Sequence, residues 1–275
     1  MSKNAFLLFG LWAFAAAAAV PSEISVRLEL ECREWVAGER VRGVVEVANA
    51  SGDSLVVANG AHADRLLLEL FRASDGRELP STSGMRAFTA DFALMPSEKQ
   101  KLETFLGDHF AFAESTRYLA RAVLVHGGMR YESPKVSFDV VPGVRCGGAM
   151  QVFSNAAGLK RTFELAYWRR GREEHLFLKP RDEGGRRWRT YDVGPILRVT
   201  DPKVSVLPSG EVIVLHRANQ NEFVRTVFWS MRDDVVLREH EKMADPDVAG
   251  AERMKALYME AGGAAPVKKA WWKFW

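Results

Sequence analysis

Cysteine is scarce in this chain, with 2 in 275 residues, Cys32 and Cys146. That excludes the disulfide-dense scaffolds of small secreted domains and the cysteine-rich zinc sites. An excess of one charge is also lacking. Lys and Arg number 38 against 35 Asp and Glu, a net of +3. A dedicated nucleic-acid binder shows a strong basic excess over a whole domain, so no nucleic-acid partner is expected. No uncharged apolar run reaches the roughly 20 residues that a helix needs to cross a bilayer. Motifs that carry chemistry are missing too. There is no His-Glu-x-x-His pair, no Gly-x-Ser-x-Gly elbow, no phosphate-cradling loop and no dinucleotide fingerprint. Six histidines (His62, His109, His126, His175, His216 and His240) stand far apart in the sequence. The sequence therefore names no catalytic residue, no cofactor and no metal ligand, and the expectation is a protein that is not an enzyme. A site assembled from residues distant in sequence is the alternative.

What is present begins with a leader-like N-terminus. Lys3 supplies a positive charge, Ala5 to Ala18 is an uncharged apolar run, and Ala17-Ala18-Ala19 offers small residues at a cleavage site. This is the three-part anatomy of a secretory signal over residues 1–19, with an uncleaved membrane anchor as the other reading, so the chain is expected to be exported to a periplasmic or extracellular space.

Beyond the leader, apolar residues alternate with polar ones. Ile24, Val26, Leu28 and Leu30 take turns with Ser25, Arg27, Glu29 and Glu31, and Val41, Gly43, Val45 and Val47 repeat the pattern. A period of two marks half-buried strands. Turn signals follow at Asn49-Ala-Ser-Gly-Asp and Asp75-Gly76, and Tyr118–Val125 with Val136–Val141 reads as a hairpin across His126-Gly-Gly. Short strands with regular turns favour a sandwich or barrel over β-α-β units. Pro142 to Gly147 reads as a linker. A second β-rich stretch spans 148–243: Thr162–Trp168 and Glu174–Lys179 flank one turn, Val204–Leu207 and Val212–Leu215 another, and Phe223–Met231 with Val235–Glu239 continues the meander. Over 245–262 the spacing predicts a helix, with Asp245 as N-cap, Pro246 in the first turn and Gly262 past the end.

Phe112, five intervening residues and then Tyr118-Leu-Ala resemble the tyrosine corner of fibronectin type III and related sandwiches. "AGERVRGVVEVANASGDSLVV", "FALMPSEKQKLE" and "SPKVSFDVVPG" resemble Ig-like domains of secreted bacterial proteins, and more loosely macroglobulin-like and BsuPI-type inhibitor sandwiches. The resemblance implies an N-terminal immunoglobulin-like antiparallel sandwich over 22–143; with the second antiparallel β-domain and the C-terminal α-helix read from the residues that follow, the chain is expected to be mainly β. It speaks for fold far more than for activity. In such a sandwich the first and last strands lie side by side and parallel, which would bring Cys32 and Cys146 to one pole as a candidate disulfide. Closing so long a loop removes about 4–5 kcal/mol of unfolded-chain entropy. Two free thiols are the other outcome.

Two surfaces invite a partner. From Tyr167 to Tyr191, Arg169, Arg170, Arg172, Arg186, Arg187 and Arg189 interleave with Tyr and Trp at a net charge of +4. Arginine grips carboxylate or phosphate with two parallel N–H bonds and stacks on aromatic faces, so this stretch fits an anionic polymer or glycan, or else ordinary hairpin decoration. The tail over 263–275 ends in Trp271, Trp272, Phe274 and Trp275 beside Lys268, Lys269 and Lys273. Such a tail suits a membrane surface, a pocket on a partner protein, or a cap on its own sheet. Together these features point to an envelope or secreted protein that binds another protein or a surface. An inhibitor of a secreted hydrolase, using Pro80–Met85 or Gly107–Ala113 as its loop, is the alternative. Mass spectrometry of the exported protein should find Val20 at the N-terminus, and an intact Met1 rejects the leader.

Overall fold

The computed structural model describes residues 23–57, 65–82, 87–88, 91–112, 114–153, 158–186 and 188–244. The leader over 1–19, the helix over 245–262 and the tail over 263–275 lie outside them. The described chain is mainly β, and its sheets are antiparallel apart from one short parallel pairing.

The N-terminal strands are β1 (Ile24–Leu30), β2 (Glu34–Val36), β3 (Arg42–Asn49), β4 (Leu55–Val57), β5 (Arg65–Arg72), β6 (Ala87–Phe88), β7 (Phe92–Leu94) and β8 (Lys99–Phe105). A one-turn helix α1 (Leu106–His109) precedes β9 (Arg117–His126), β10 (Met129–Glu132) and β11 (Val136–Val141). One sheet runs β1-β3-β8 and a second runs β2-β11-β9-β5-β6, while β4 and β7 form a two-stranded flap. The alternation of β1 works as its sequence demands: Ile24, Val26 and Leu28 are buried and Ser25, Arg27 and Glu29 exposed. They meet Leu66, Leu68 and Leu70 of β5 in a common core, each fully buried apolar side chain contributing about 1.5–3 kcal/mol. β5 also buries its other face, where Glu69 is the exception. Its carboxylate accepts Arg121 Nε at 2.7 Å and Arg130 Nη2 at 2.6 Å. Burial pushes that carboxyl up, but the two guanidinium groups outweigh it and hold it below its ordinary range.

The Tyr118 hydroxyl donates to the Glu114 carbonyl at 2.9 Å, the backward tie expected of a tyrosine corner. The hairpin across Gly127-Gly128 differs from its sequence reading. β9 first pairs with β10, and β11 joins the same strand nearer its start, at Ala120 to Arg117. β10 has only four residues and is largely exposed.

The remaining strands are β12 (Val144–Val152), β13 (Lys160–Arg170), β14 (Glu173–Asp182), β15 (Tyr191–Pro195), β16 (Lys203–Val206), β17 (Glu211–Asn219), β18 (Glu222–Met231) and β19 (Asp234–Ala244). They form two four-stranded sheets in sequential order, β12-β13-β14-β15 and β16-β17-β18-β19. Their shared core holds Phe163, Leu165, Leu176, Val212, Val214 and Phe228. Most of the stretch read as a linker is strand, because β12 begins at Val144.

A fully enclosed cation lies inside this second core, beside a buried carboxylate. Arg161 has no exposed surface. Its guanidinium meets Asp182 at 2.6 and 3.3 Å, Ser230 Oγ at 3.1 Å and the carbonyls of Met231 and Arg232 at 2.6 and 2.9 Å. The Trp188 ring covers one side at 4.2 Å and Phe153 lies at 5.1 Å. β13 is thereby tied to the turn between β18 and β19 in the opposite sheet. Replacing one partner strands the other in a dry interior, which costs about 3–5 kcal/mol. Arg161→Met should lower unfolding free energy by that much in urea denaturation, and Arg161→Met with Asp182→Leu should recover part of it. A loss under about 1 kcal/mol for the single variant contradicts this account.

Candidate binding cleft

The two pairs of sheets are joined at the segment between β2 and β3. β2 leaves the β1 sheet and pairs in parallel with β11, Glu34 to Asp139 through Val36 to Val141. The turn that follows is welded to the C-terminal sheets. Thr190 N–H donates to the Gly38 carbonyl and Thr190 Oγ1 to the Ala37 carbonyl, both at 2.8 Å. Gly38 has φ +93°, and a Cβ there would stand 2.5 Å from Thr190 Oγ1, so the position tolerates only glycine. Trp168 Nε1 donates to Glu34 Oε2 at 3.1 Å. At the centre is Glu39, 7% exposed, which accepts Val36 N–H at 2.6 Å and Arg170 Nη2 at 2.7 and 2.8 Å. The other Nη of Arg170 reaches Asp192 at 2.6 Å, and His175 Nδ1 lies 2.9 Å from the same carboxylate.

This chain of charges sets two carboxyl groups apart. Burial drives Glu39 above its ordinary value, against the pull of Arg170. Burial pushes Asp192 up as well, but His175, the Gly194 N–H and Arg170 outweigh it and hold it low. Opposed carboxyls are an acid–base signature where a substrate space adjoins them. Here Arg170 bonds both carboxylates, joining them as an interlayer clamp, and Glu39 also lines the adjoining cleft.

Beside the clamp lies a cleft of about 1020 Å³. One wall is Gly38, Glu39 and Arg40 with Gly107, Asp108, Phe110 and Phe112; the other is Gly185, Trp188, Arg189 and Tyr191 with Asp234 to Leu237 at the start of β19. Ring packing, ion pairs and hydrogen bonds brace both walls. The Phe112 ring meets Tyr118 edge-on at 5.4 Å and Phe138 at 5.7 Å. Arg40 pairs with Asp108 and stacks on Phe105 at 3.9 Å. Across the cleft, Tyr191 donates its hydroxyl to the Val235 carbonyl and packs on Phe228 at 4.9 Å. Arg186 stacks on Trp188 at 3.9 Å and Arg189 on Tyr191 at 5.2 Å. Leu237 stays 47% exposed.

No protein-family model matches the chain, and neither does any curated protein. Among solved structures, the sporulation control protein Spo0M of Bacillus subtilis is 11% identical over 87% of this chain and 97% of its own, with a TM-score of 0.30. The alkylpurine DNA glycosylase AlkC of Pseudomonas fluorescens, bound to DNA containing an abasic site analog, is 12% identical over 43% of this chain and 30% of its own, with a TM-score of 0.28. At such scores neither alignment informs the cleft.

The basic and aromatic stretch divides between the clamp and the cleft. Arg170 is drawn into the clamp. Arg169 donates to the Gly171 carbonyl at 3.0 Å, closing its own turn, and Arg172 is exposed at the same turn. Arg189 lines the cleft, Arg186 stacks on the lining Trp188, and Arg187 lies outside the described residues, as do Trp271, Trp272, Phe274 and Trp275. Of the Gly107–Ala113 loop, Gly107, Asp108 and Phe110 to Phe112 line the cleft. Only part of Pro80–Met85 is described.

The candidate disulfide is not formed. Cys32 and Cys146 are free thiols, packed against different cores. The parallel partner of β11 is β2, whose register puts Cys32 level with Ser137, nine residues short of Cys146. Burial raises both thiols to about 11, so neither is a nucleophile at neutral pH.

Three histidines that the sequence spreads apart meet near β15. Besides His175 on Asp192, His216 Nε2 lies 3.0 Å from the Pro195 carbonyl and His240 Nδ1 3.0 Å from Thr226 Oγ1. Burial lowers His216 to about 4, so its ring is neutral. Among the described residues no group of three His, Cys, Asp or Glu is arranged to hold a metal ion.

The clamp fixes a sign for acid sensitivity. Asp192, held below the ordinary 3.8, stabilises the fold above that pH, and the contribution is lost as pH falls through its folded value. Glu39, raised above 4.5, acts oppositely, favouring the fold in acid and losing that contribution as pH rises through the carboxyl range. Asp192→Asn should therefore destabilise the protein at pH 7 and progressively less toward pH 3, measured as the difference in denaturation midpoint from wild type. A difference that grows in acid contradicts the assignment.

Proposed function

We propose that this chain is a non-enzymatic binding protein, exported to the cell envelope or beyond, whose immunoglobulin-like N-terminal sandwich and second β-domain hold a partner protein in the cleft between them. The observation that carries the reading is the cleft itself, with walls supplied by both halves of the chain and stiffened by stacked aromatic and arginine side chains. Rigid aromatic and arginine side chains dominate binding energy at protein interfaces because little conformational entropy is lost when they are covered. The opening also runs onto β19, an edge strand with no second neighbour among the described residues. Such edges accept an added strand. The leader-like N-terminus supports export, and the aromatic tail offers a second contact in the same compartment.

The test is co-purification from envelope extract. A partner identified with wild-type protein should be lost with Leu237→Asp and with Arg189→Glu, both exposed positions, at an unchanged melting temperature. Removal of residues 267–275 then reports the share of the tail. Partner recovery that is indifferent to both cleft substitutions overturns the reading.

A further inference from the structure

We infer that the cleft selects an extended polypeptide segment in which an acidic side chain sits beside an aromatic or aliphatic one. This rests on the binding function proposed above and names the chemistry of the partner. The charges inside the cleft are unevenly matched. Glu39 is held by Arg170, Asp108 pairs with Arg40, and Asp234 Oδ1 accepts Val235 N–H at 2.8 Å. Among the described residues, Arg186 and Arg189 pair with no carboxylate. Asp182, the acid whose charge Arg186 feels, is already gripped by Arg161. Among the described residues, Arg189 in the lining and Arg186 over the lining Trp188 thus stand as two cations without a carboxylate, against Asp234 as the one lining acid without a cation.

Both are also pre-oriented. Each guanidinium lies over an aromatic ring, Arg186 on Trp188 and Arg189 on Tyr191. Stacking uses the flat face and leaves the N–H edge free for a planar, two-oxygen acceptor. A carboxylate meets that geometry, and the exposed Leu237 beside it offers a seat for an apolar neighbour. A nucleic acid fits less well: its affinity comes from a run of phosphate contacts, and this cleft interleaves Asp108, Asp234 and Glu39 with only two uncompensated cations. The volume suits several residues of chain, and the edge of β19 beyond Val235, whose own carbonyl and N–H are taken by Tyr191 and Asp234, offers backbone groups alongside.

The experiment is selection of a random dodecapeptide display library on the immobilised full chain, followed by fluorescence polarisation of the enriched peptides. Enriched sequences are expected to place Asp or Glu beside an aromatic or aliphatic residue. Their affinity should fall about tenfold or more on Arg186→Glu with Arg189→Glu, and return when the peptide acid is changed to Lys. Neutral or basic peptides that still depend on Leu237 overturn the acidic selectivity and leave the binding reading intact. No enrichment, or binding untouched by Leu237→Asp in a protein of unchanged melting temperature, overturns both. Tighter, arginine-dependent binding of a 20-mer oligonucleotide than of any peptide overturns the inference in favour of a polyanion.

Discussion

Glu39 and Arg170 come from opposite halves of the chain, 131 residues apart in sequence, and meet where water is nearly excluded. A carboxylate in such a place must be neutralised or protonated, so the two halves are held at the separation that the ion pair requires. The surrounding contacts read as consequences. Gly38 lacks a side chain because Thr190 presses against it, and β2 abandons the β1 sheet so that its turn reaches the C-terminal sheets. The cleft then opens on the same turn, at Gly38, Glu39 and Arg40. A weaker joint would let its walls drift, and binding geometry would drift with them.

Arginine does three kinds of work in this molecule, set by burial. Arg161, fully enclosed, satisfies the end of a hairpin and a carboxylate together. Arg170, partly enclosed, bridges two carboxylates between layers. Arg186 and Arg189, at the surface, lie on aromatic rings and pair with no carboxylate among the described residues. A planar cation with five donors serves all three settings, where a lysine ammonium would leave carbonyls unmet in the first and stack poorly in the last. Surface ion pairs such as Arg198 with Glu174 contribute little by comparison.

Much of the architecture was legible in the sequence. Period-two burial in β1 and β3, the hairpins about Gly171 and Gly210 and the hydroxyl tie of Tyr118 all follow from local pattern. The strands that escaped notice are short or lack alternation: β2 has three residues, and β10 and β12 are largely exposed. Arginines between 167 and 191 stood out in the sequence, yet nothing local distinguished Arg170, bound for a buried clamp, from Arg169 beside it. Glu39 gave no signal either, because a turn glutamate reads as solvated until the chain opposite it is placed.

The sequence by itself determined that this protein is built of antiparallel β-layers, since alternation of apolar and polar side chains is a property of neighbouring residues. Only the tertiary structure decided which charges lie inside, which of the described arginines meet no carboxylate among the described residues, and that Cys32 and Cys146 stay apart. Those outcomes turn on register and on which strand changes sheets. Both are settled by packing between segments a hundred residues apart, where sequence spacing carries no information about distance.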